Sequence, residues 1–227
     1  RRLTRAELSR ALAAEGIQAQ GSRLGHVLLH AELRAIVCSG GLRGRQHTYA
    51  LVDEIVPATK PRTPAEALAE LTLRYFRGHG PATVRDFAWW SSLPAKDIRR
   101  GLEMVSDRLE HAVVDGRTYW FEPPLQPRRQ PSPTAHLLQC WDEYVIGYSE
   151  SRQLADMAGR LPGLGEDRQF IHWVLLDGQI VGRWRRRPGS AAEVQVSWLV
   201  DLDPAQCAAV DDAIARYREF DRQARAS

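Results

Sequence analysis

The feature that most constrains the fold of this chain is a pattern that occurs twice: two helices joined by a turn, then a β-hairpin with a polar tip. In the first copy, the apolar spacing predicts helices over residues 3–15 and 22–36. A hairpin is predicted over residues 37–52, with glycines and arginines at its tip, residues 40–45. A chain with this order of elements must pack both helices and the hairpin around one small core.

The second copy of the pattern is the clearer one. Its helices are predicted over residues 82–90 and 95–106, with a Ser-Ser-Leu-Pro turn between them. Its hairpin strands are predicted over residues 109–114 and 117–121, joined by Asp115-Gly116, a typical two-residue hairpin turn. The repetition predicts two modules of the same architecture.

Two helices followed by a hairpin are the order of elements in a winged helix, a fold that most often meets DNA. A further helix is predicted from Thr63-Pro64 to Gly78, and it completes the second copy as a three-helix unit. The first copy has no such helix before it. Either this copy is degenerate or its leading helix lies upstream of Arg1 and has been removed, and we expect removal.

The chain changes character after residue 122. Residues 123–135 are rich in proline and predict an extended linker. Strands are then predicted over residues 136–148, 170–176, 180–186 and 193–200, and Asp203-Pro204 begins a terminal helix. Several short strands closed by a helix suggest a small β-barrel.

The predicted fold class is therefore α+β, with tandem winged-helix units followed by a small C-terminal β-barrel and a terminal helix. The predicted domains are residues 1–60, 61–122, the linker 123–135, and 136–227.

Composition narrows the setting of the chain. No apolar run approaches the length of a membrane span, and three isolated cysteines, Cys38, Cys140 and Cys207, fit a reducing environment. We therefore expect a cytoplasmic protein with no membrane partner, no cofactor and no metal, and we favour a monomer. The net charge is only +3, so local arginine clusters carry more information than the total. Only Lys60 and Lys96 are lysines among 31 basic residues.

Seven segments give the chain a family resemblance that covers nearly all of it. They are RLGHVLLHAEL (23–33), CSG (38–40), GRQHTYAL (44–51), RYF (74–76), HGPAT (79–83), DFAWWS (86–91) and DEY (142–144). In these segments the chain resembles a bacterial family of winged-helix proteins, the AlkZ/YcaQ-like DNA glycosylases, whose characterised members remove alkylated or crosslinked purines. The resemblance implies tandem winged helices around a DNA channel and a C-terminal β-barrel.

The resemblance also implies a catalytic Gln-x-Gln or Gln-x-Asp triplet, which in the family lies upstream of the matched region. This chain contains Gln18-Ala19-Gln20, but in the turn between two helices, and we interpret it as a coincidence. Asp142 and Glu143 are weak catalytic candidates, because neighbours on a strand point to opposite faces, and a structural role is favoured. The catalytic residues are therefore unknown.

Candidate DNA-binding residues come from three basic clusters. The first-copy hairpin contributes Arg43, Arg45, Gln46 and His47; the second helix of the second copy contributes Arg99 and Arg100; and the run at 183–187 contributes Arg183, Arg185 and Arg187. Each cluster has a simpler alternative: a solvated loop, a solvated helix face, or a charged edge strand that discourages aggregation.

Strand alternation predicts Trp184 and Arg186 on the face opposite the other three arginines.

Two further groups have simpler interpretations. His26 and His30 have metal-ligand spacing but no third ligand nearby, and we interpret them as core or interface residues. Phe87, Trp89 and Trp90 are interpreted as packing anchors.

The prediction for function is a protein that binds double-stranded DNA and resembles these glycosylases. The alternatives are a non-catalytic winged-helix factor in transcription or genome maintenance, and a scaffold for protein contacts only.

Overall fold

The computed structural model describes residues 1–58, 60–123, 131–159, 170–187 and 193–226. Helices and strands mix in an α+β arrangement, as predicted. The chain divides into two compact units, Arg1–Arg62 and Thr63–Ser227, and each is described by itself.

The first unit is a three-stranded antiparallel sheet with two helices packed on it. Its elements are β1 (Leu3–Thr4), α1 (Arg5–Ala14), α2 (Gly21–Leu33), β2 (Val37–Arg43), β3 (Gln46–Leu51) and the short α3 (Val52–Ile55). The sheet order is β1-β3-β2, so the strand before the helices pairs with the far strand of the hairpin. Leu24 and Leu28, four residues apart on α2, are buried beside Ala19 and form the core with residues of α1 and β3.

The second unit opens with the same arrangement, preceded by one more helix. Its elements are α4 (Pro64–His79), α5 (Val84–Ser91), α6 (Ala95–Val105), a 3₁₀ turn (Ser106–Arg108), β4 (Glu110–Val114) and β5 (Arg117–Phe121). Ala82, which lies just before α5, forms an antiparallel bridge with Trp120 of β5. This bridge occupies the place that β1 occupies in the first unit.

The two copies also begin their helix pairs in the same way. Thr4 caps α1 in a reciprocal capping box with Glu7, and Thr83 caps α5 in a capping box with Asp86. Such a box satisfies the free N–H groups of the first helical turn and fixes where the helix begins.

The extra helix α4 makes the core of the second copy much larger. Phe76, Phe87 and Ile98, from α4, α5 and α6, are almost fully buried together. Burial of such side chains contributes about 1.5–3 kcal/mol each relative to exposure. Gly101 allows α6 to approach α4 closely, because a Cβ at this position would collide with the hydroxyl of Thr72.

The C-terminal part of the second unit is a four-stranded antiparallel sheet with one long helix. Its elements are β6 (Ala135–Leu138), α7 (Glu143–Ile146), a 3₁₀ turn (Arg152–Asp156), β7 (Trp173–Leu176), β8 (Gln179–Arg186), β9 (Val194–Trp198) and α8 (Pro204–Ala226). One face of the sheet carries Val174, Val181 and Trp184 against α8, and the other carries Trp173 and Ile180 against Val145 of α7.

Two predictions for this part need revision. In the described residues the sheet has the order β6-β7-β8-β9 and is open, so the predicted barrel is not confirmed. The predicted strand over residues 136–148 is wrong beyond Leu138, because the Asp142 carboxylate accepts the backbone N–H of Tyr144 at 2.9 Å and begins helix α7. Most of the predicted linker, residues 124–130, lies outside the described residues.

Within the part of the chain that the structure describes, no helix combines the length and the apolar character needed to cross a bilayer.

Candidate nucleic-acid interface

Arg43 is exposed, but its guanidinium is engaged by other residues of the first unit. Its guanidinium donates to both carboxylate oxygens of Glu7, at 2.8 and 3.1 Å, and to the carbonyl of Arg2 at 2.5 Å. Hydrogen bonds from the backbone and hydroxyl of Thr4, and then from Arg43, lower the pKa of Glu7 from 4.5 to about 2. Arg43 therefore ties the end of β2 to the start of α1.

The neighbouring residues of the hairpin face outward. Arg45 lies in the turn after Gly44, whose φ of +60° fits a tight turn, and its side chain is exposed. Among the described residues, none forms a hydrogen bond or ion pair with the Arg45 guanidinium. Its charge is therefore available to a ligand.

Gln46 and His47 line a groove of about 570 Å³ between the hairpin and the starts of the two helices. Gln20 and Gly21, at the start of α2, form its opposite wall together with Arg5. The Gln18-Ala19-Gln20 triplet lies in the connection between α1 and α2, as predicted. Ala19 is buried, and its carbonyl accepts a hydrogen bond from the hydroxyl of Ser9 at 2.8 Å. The groove thus brings amide and imidazole side chains to one place on the surface.

The outer face of α2 is a feature that the sequence analysis did not single out for binding. Arg23, His26 and His30 are exposed and, with Ser22 and Val27, line one shallow depression. The two histidines are not core residues, so that part of the prediction is wrong. The signal for this face was helical spacing: positions 23, 26 and 30 lie opposite buried Leu24 and Leu28. Among the described residues, no three His, Cys, Asp or Glu side chains form a metal-binding group.

Arg99 and Arg100 lie on the exposed side of α6, opposite buried Ile98, Leu102 and Val105. This helix follows the α5–α6 turn and precedes the hairpin, which is the position of a recognition helix. Within the part of the chain that the structure describes, both guanidinium groups lack a carboxylate partner.

The basic run at the end of β8 alternates as predicted. Trp184 is buried, with its ring centre 5.0 Å from that of Tyr217 in α8, and Arg186 pairs with Asp221 of the same helix at 3.1 Å. On the other face, the Arg183 guanidinium lies 5.2 Å from the centre of the Trp173 ring. Arg185 donates to Gln195 at 3.1 Å, and Arg187 pairs with Glu193 at 2.8 Å. These three contacts hold the arginines in an exposed row along the end of β8 and the residue that follows it.

Asp142 and Glu143 have structural contacts, in agreement with the favoured interpretation, although not on a strand. The indole N–H of Trp90 donates to Glu143 Oε1 at 3.0 Å, and His79 Nε2 lies 3.1 Å from Oε2. The hydrogen bond from Trp90, and then that with His79, lowers the pKa of Glu143. Trp89 donates its indole N–H to the carbonyl of Ile146 at 2.7 Å, so both tryptophans anchor α7, as predicted for packing residues.

Among the described carboxylates, Asp86 combines full burial with hydrogen bonds from several backbone and hydroxyl donors. The sequence analysis did not identify it. It is fully buried, and its Oδ1 accepts the backbone N–H groups of Ser149 and Glu150 at 2.9 and 2.7 Å. Burial raises the pKa of Asp86, but hydrogen bonds from Ser151, Thr83 and Glu150 outweigh it and lower the pKa overall. The available signal was the capping box Thr83-x-x-Asp86.

The chain is similar to one protein family and to a solved structure. A protein-family model described as "DNA glycosylase AlkZ-like" matches residues 1–220. Among solved structures, the DNA glycosylase AlkZ of Streptomyces sahachiroi is similar, with a TM-score of 0.66 and 22% sequence identity. That similarity covers 96% of this chain and 62% of the other, so this chain spans less than two thirds of that relative's length. No curated protein matches at a significant level.

Proposed function

The chain belongs to the AlkZ-like DNA glycosylase family, and from this premise we propose that it binds duplex DNA as part of an enzyme that removes damaged purines. The observation that carries the proposal is the family match over residues 1–220. The substrate class follows the family resemblance: alkylated or crosslinked purines. A bacterial DNA substrate would place this activity in the cytoplasm.

We propose that both copies of the repeat are winged-helix modules. Three features support this: the strand order β1-β3-β2, the Ala82–Trp120 bridge at the corresponding place, and the two helices before each hairpin. In this arrangement α2 and α6 are the recognition helices and the hairpins are the wings. The shared architecture also explains why both recognition helices carry exposed arginines, Arg23 on α2 and Arg99 and Arg100 on α6.

The proposed contacts with DNA are made by exposed cations and amides rather than by every basic residue. They are Arg45, Gln46 and His47 on the first hairpin, Arg99 and Arg100 on α6, Arg183 and Arg185 on β8, and Arg187 just after β8. Arg43 contributes indirectly, because its ion pair with Glu7 holds the base of the hairpin. Contacts to phosphate give affinity without sequence preference, which suits an enzyme that searches for lesions.

A non-catalytic DNA-binding factor is the second candidate. The observation that favours it is the setting of Gln18-Ala19-Gln20, whose central residue is buried in the connection between α1 and α2. We assign no catalytic pair to the triplet in that position. Release of an alkylated purine from duplex DNA, by this chain and by the whole product of its gene, separates the two candidates.

DNA binding is tested by titrating a labelled duplex with the chain over a series of salt concentrations. The variant with Arg183→Ala, Arg185→Ala and Arg187→Ala should bind more weakly, and its slope of log affinity against log salt should fall by about 3. The matched control is Arg74→Ala, because Arg74 is exposed but pairs with Glu70 four residues earlier on α4. Equal salt slopes for the triple variant and the parent would show that these three arginines do not contact DNA.

A further inference from the structure

Two large aromatic side chains are exposed side by side in the second unit. Trp141 is 58% exposed and Phe170 is 61% exposed. Their ring centres are 5.4 Å apart with an interplanar angle of 84°, an edge-to-face contact. We call them the Trp141–Phe170 pair. Two tryptophans of the sheet beside them, Trp173 and Trp184, are almost completely buried, whereas Trp198 of β9 is 45% exposed.

The backbone at Trp141 is unusual as well. Its φ is +65°, in the left-handed region that bulky residues rarely adopt. The next residue, Asp142, caps α7, so the chain turns sharply here to begin the helix. Strained backbone of this kind is concentrated at functional sites. Here the strain accompanies an indole that is 58% exposed.

The topology places the pair at the same end of the sheet as the arginine row. β6 ends at Leu138, three residues before Trp141, and β7 begins at Trp173, three residues after Phe170. Leu138 pairs with Trp173, and Trp173 pairs with Arg183. From Arg183 onward, β8 therefore continues toward the end of the sheet from which both aromatic residues extend.

A backbone hydrogen bond shows that the chain between Phe170 and β7 also lies beside β8. The N–H of Trp184 donates to the carbonyl of His172 at 2.9 Å, so the chain still runs beside β8 two residues after Phe170. Arg183, Arg185 and Arg187 contribute three positive charges to this end of the sheet, and Glu193 is the carboxylate that pairs with one of them. Among the described residues, this surface thus combines a net positive row with exposed aromatic rings.

Cationic rows beside exposed aromatic rings are how proteins bind unstacked nucleotides, because phosphates meet the cations and bases stack on the rings. We propose that the Trp141–Phe170 pair is a stacking site for a nucleobase that has left the base stack. Arg183, Arg185 and Arg187 then bind the phosphates on either side of that nucleotide. The inference rests on the proposed DNA binding and specifies which form of DNA this surface takes.

The test compares three labelled duplexes of the same sequence: fully paired, with one bulged nucleotide, and with one bulged abasic site. The abasic bulge has the same backbone flexibility but no base. The parent chain should bind the base-bearing bulge about tenfold more tightly than the abasic bulge. Equal affinity for the two bulges overturns the inference, whatever the affinity for paired DNA.

Variants assign the preference to the pair. The change Trp141→Ala with Phe170→Ala should remove the preference for the base-bearing bulge and leave affinity for the paired duplex within about twofold. The matched control, Trp198→Ala with Phe220→Ala, also removes two exposed aromatic residues, 45% and 63% exposed, and should keep the preference. Trp141→Phe should keep most of it, because a phenyl ring still offers a stacking face.

The other outcomes are also decisive. An equal loss of affinity for all three duplexes in the double variant overturns the stacking role. So does an unchanged preference accompanied by altered self-association in sedimentation, which would make the pair a contact between copies. Failure of the parent chain to bind the paired duplex refutes the proposed function, whereas paired binding without a preference for the base refutes only this inference.

Discussion

The carboxylate of Asp86 accepts the backbone N–H of Ser151 at 3.1 Å, although the two residues lie 65 positions apart. The same side chain accepts the N–H and hydroxyl of Thr83, each at 3.0 Å, and the hydroxyl of Ser151. One buried group therefore caps α5 and fixes the segment that follows α7. In the first unit, Glu7 occupies the equivalent capping position and meets Arg43 instead.

This relationship predicts that Asp86→Asn destabilises the second unit. An amide has one acceptor oxygen instead of two and carries no charge, so the buried donors at Oδ1 or at Oδ2 lose their partner and the remaining hydrogen bonds weaken. We expect the free energy of unfolding to fall by about 2–4 kcal/mol in thermal or urea denaturation. Amide hydrogen exchange should accelerate at Ser149, Glu150 and Ser151.

The matched control is Glu7→Gln, which alters the corresponding capping box at a half-buried site. It should cost less stability and leave exchange at residues 149–151 unchanged. A result in which both variants destabilise equally would mean that Asp86 acts only as a helix cap.

A second prediction concerns the acid side of the stability profile. The folded pKa of Glu7, about 2, lies below its ordinary value of 4.5. Its contribution to stability is therefore fully present above pH 4.5 and is lost as the pH falls toward 2. Carbon-13 NMR of the Glu7 carboxyl should show this low titration midpoint.

The variant Arg43→Gln should raise the midpoint only part of the way to 4.5, because hydrogen bonds from Thr4 lower the pKa more than Arg43 does. Full recovery to 4.5 in this variant would show that the ion pair, not the capping box, dominates.

A third prediction uses two glycines that differ in their surroundings. Gly101→Ala should lower stability by about 1–3 kcal/mol, because the new methyl group would overlap the Thr72 hydroxyl and force α4 and α6 apart. Gly78→Ala, an exposed position on α4 with open space around it, should raise stability by up to about 1 kcal/mol. Thermal unfolding of the two variants should give shifts of opposite sign; shifts of the same sign would contradict the close approach of the helices.

A fourth prediction separates the two arginines of the first hairpin. Arg45→Ala should weaken duplex binding and reduce the salt slope by about 1, with no change in thermal stability. Arg43→Ala should instead lower the thermal stability of the first unit, because it removes the contacts to Glu7 and Arg2. The measurements are salt-dependent duplex titration and thermal unfolding of each variant. Loss of DNA binding in Arg43→Ala alone, with stability intact, would reverse these roles.

Local features of the sequence predicted the elements of the fold well. Helix pairs, hairpins and the terminal helix follow from apolar spacing, capping residues and Asp-Gly or Gly-containing turns, which act within a few positions of the chain. The error at residues 139–148 has the same origin, because the apolar run there fits either a strand or a short capped helix. The cap by Asp142 and the packing of Val145 against the sheet both favour the helix.

The sequence predicted many residues of the candidate site. It did not predict which of the charged side chains form ion pairs with other parts of the protein. Arg43 and Arg45 look alike in the sequence and both are exposed, yet a carboxylate 36 positions away pairs with Arg43, and no described residue pairs with Arg45. Arg186 likewise turns to Asp221 of α8, as the alternation of the strand allowed us to anticipate. Composition cannot reveal such pairings, because they depend on which elements become neighbours.

By itself, the sequence determined that this protein repeats a module of two helices and a hairpin, and it identified the family, because helix caps, turn residues and family motifs are local. Only the tertiary structure decided how Asp86 is buried under residues 149–151, that Glu143 binds Trp90, and that the C-terminal sheet is open in the described residues. The first two outcomes depend on contacts between segments more than fifty positions apart, and the third depends on which strands pair. Whether a carboxylate meets water or a buried N–H is settled only when those segments pack together.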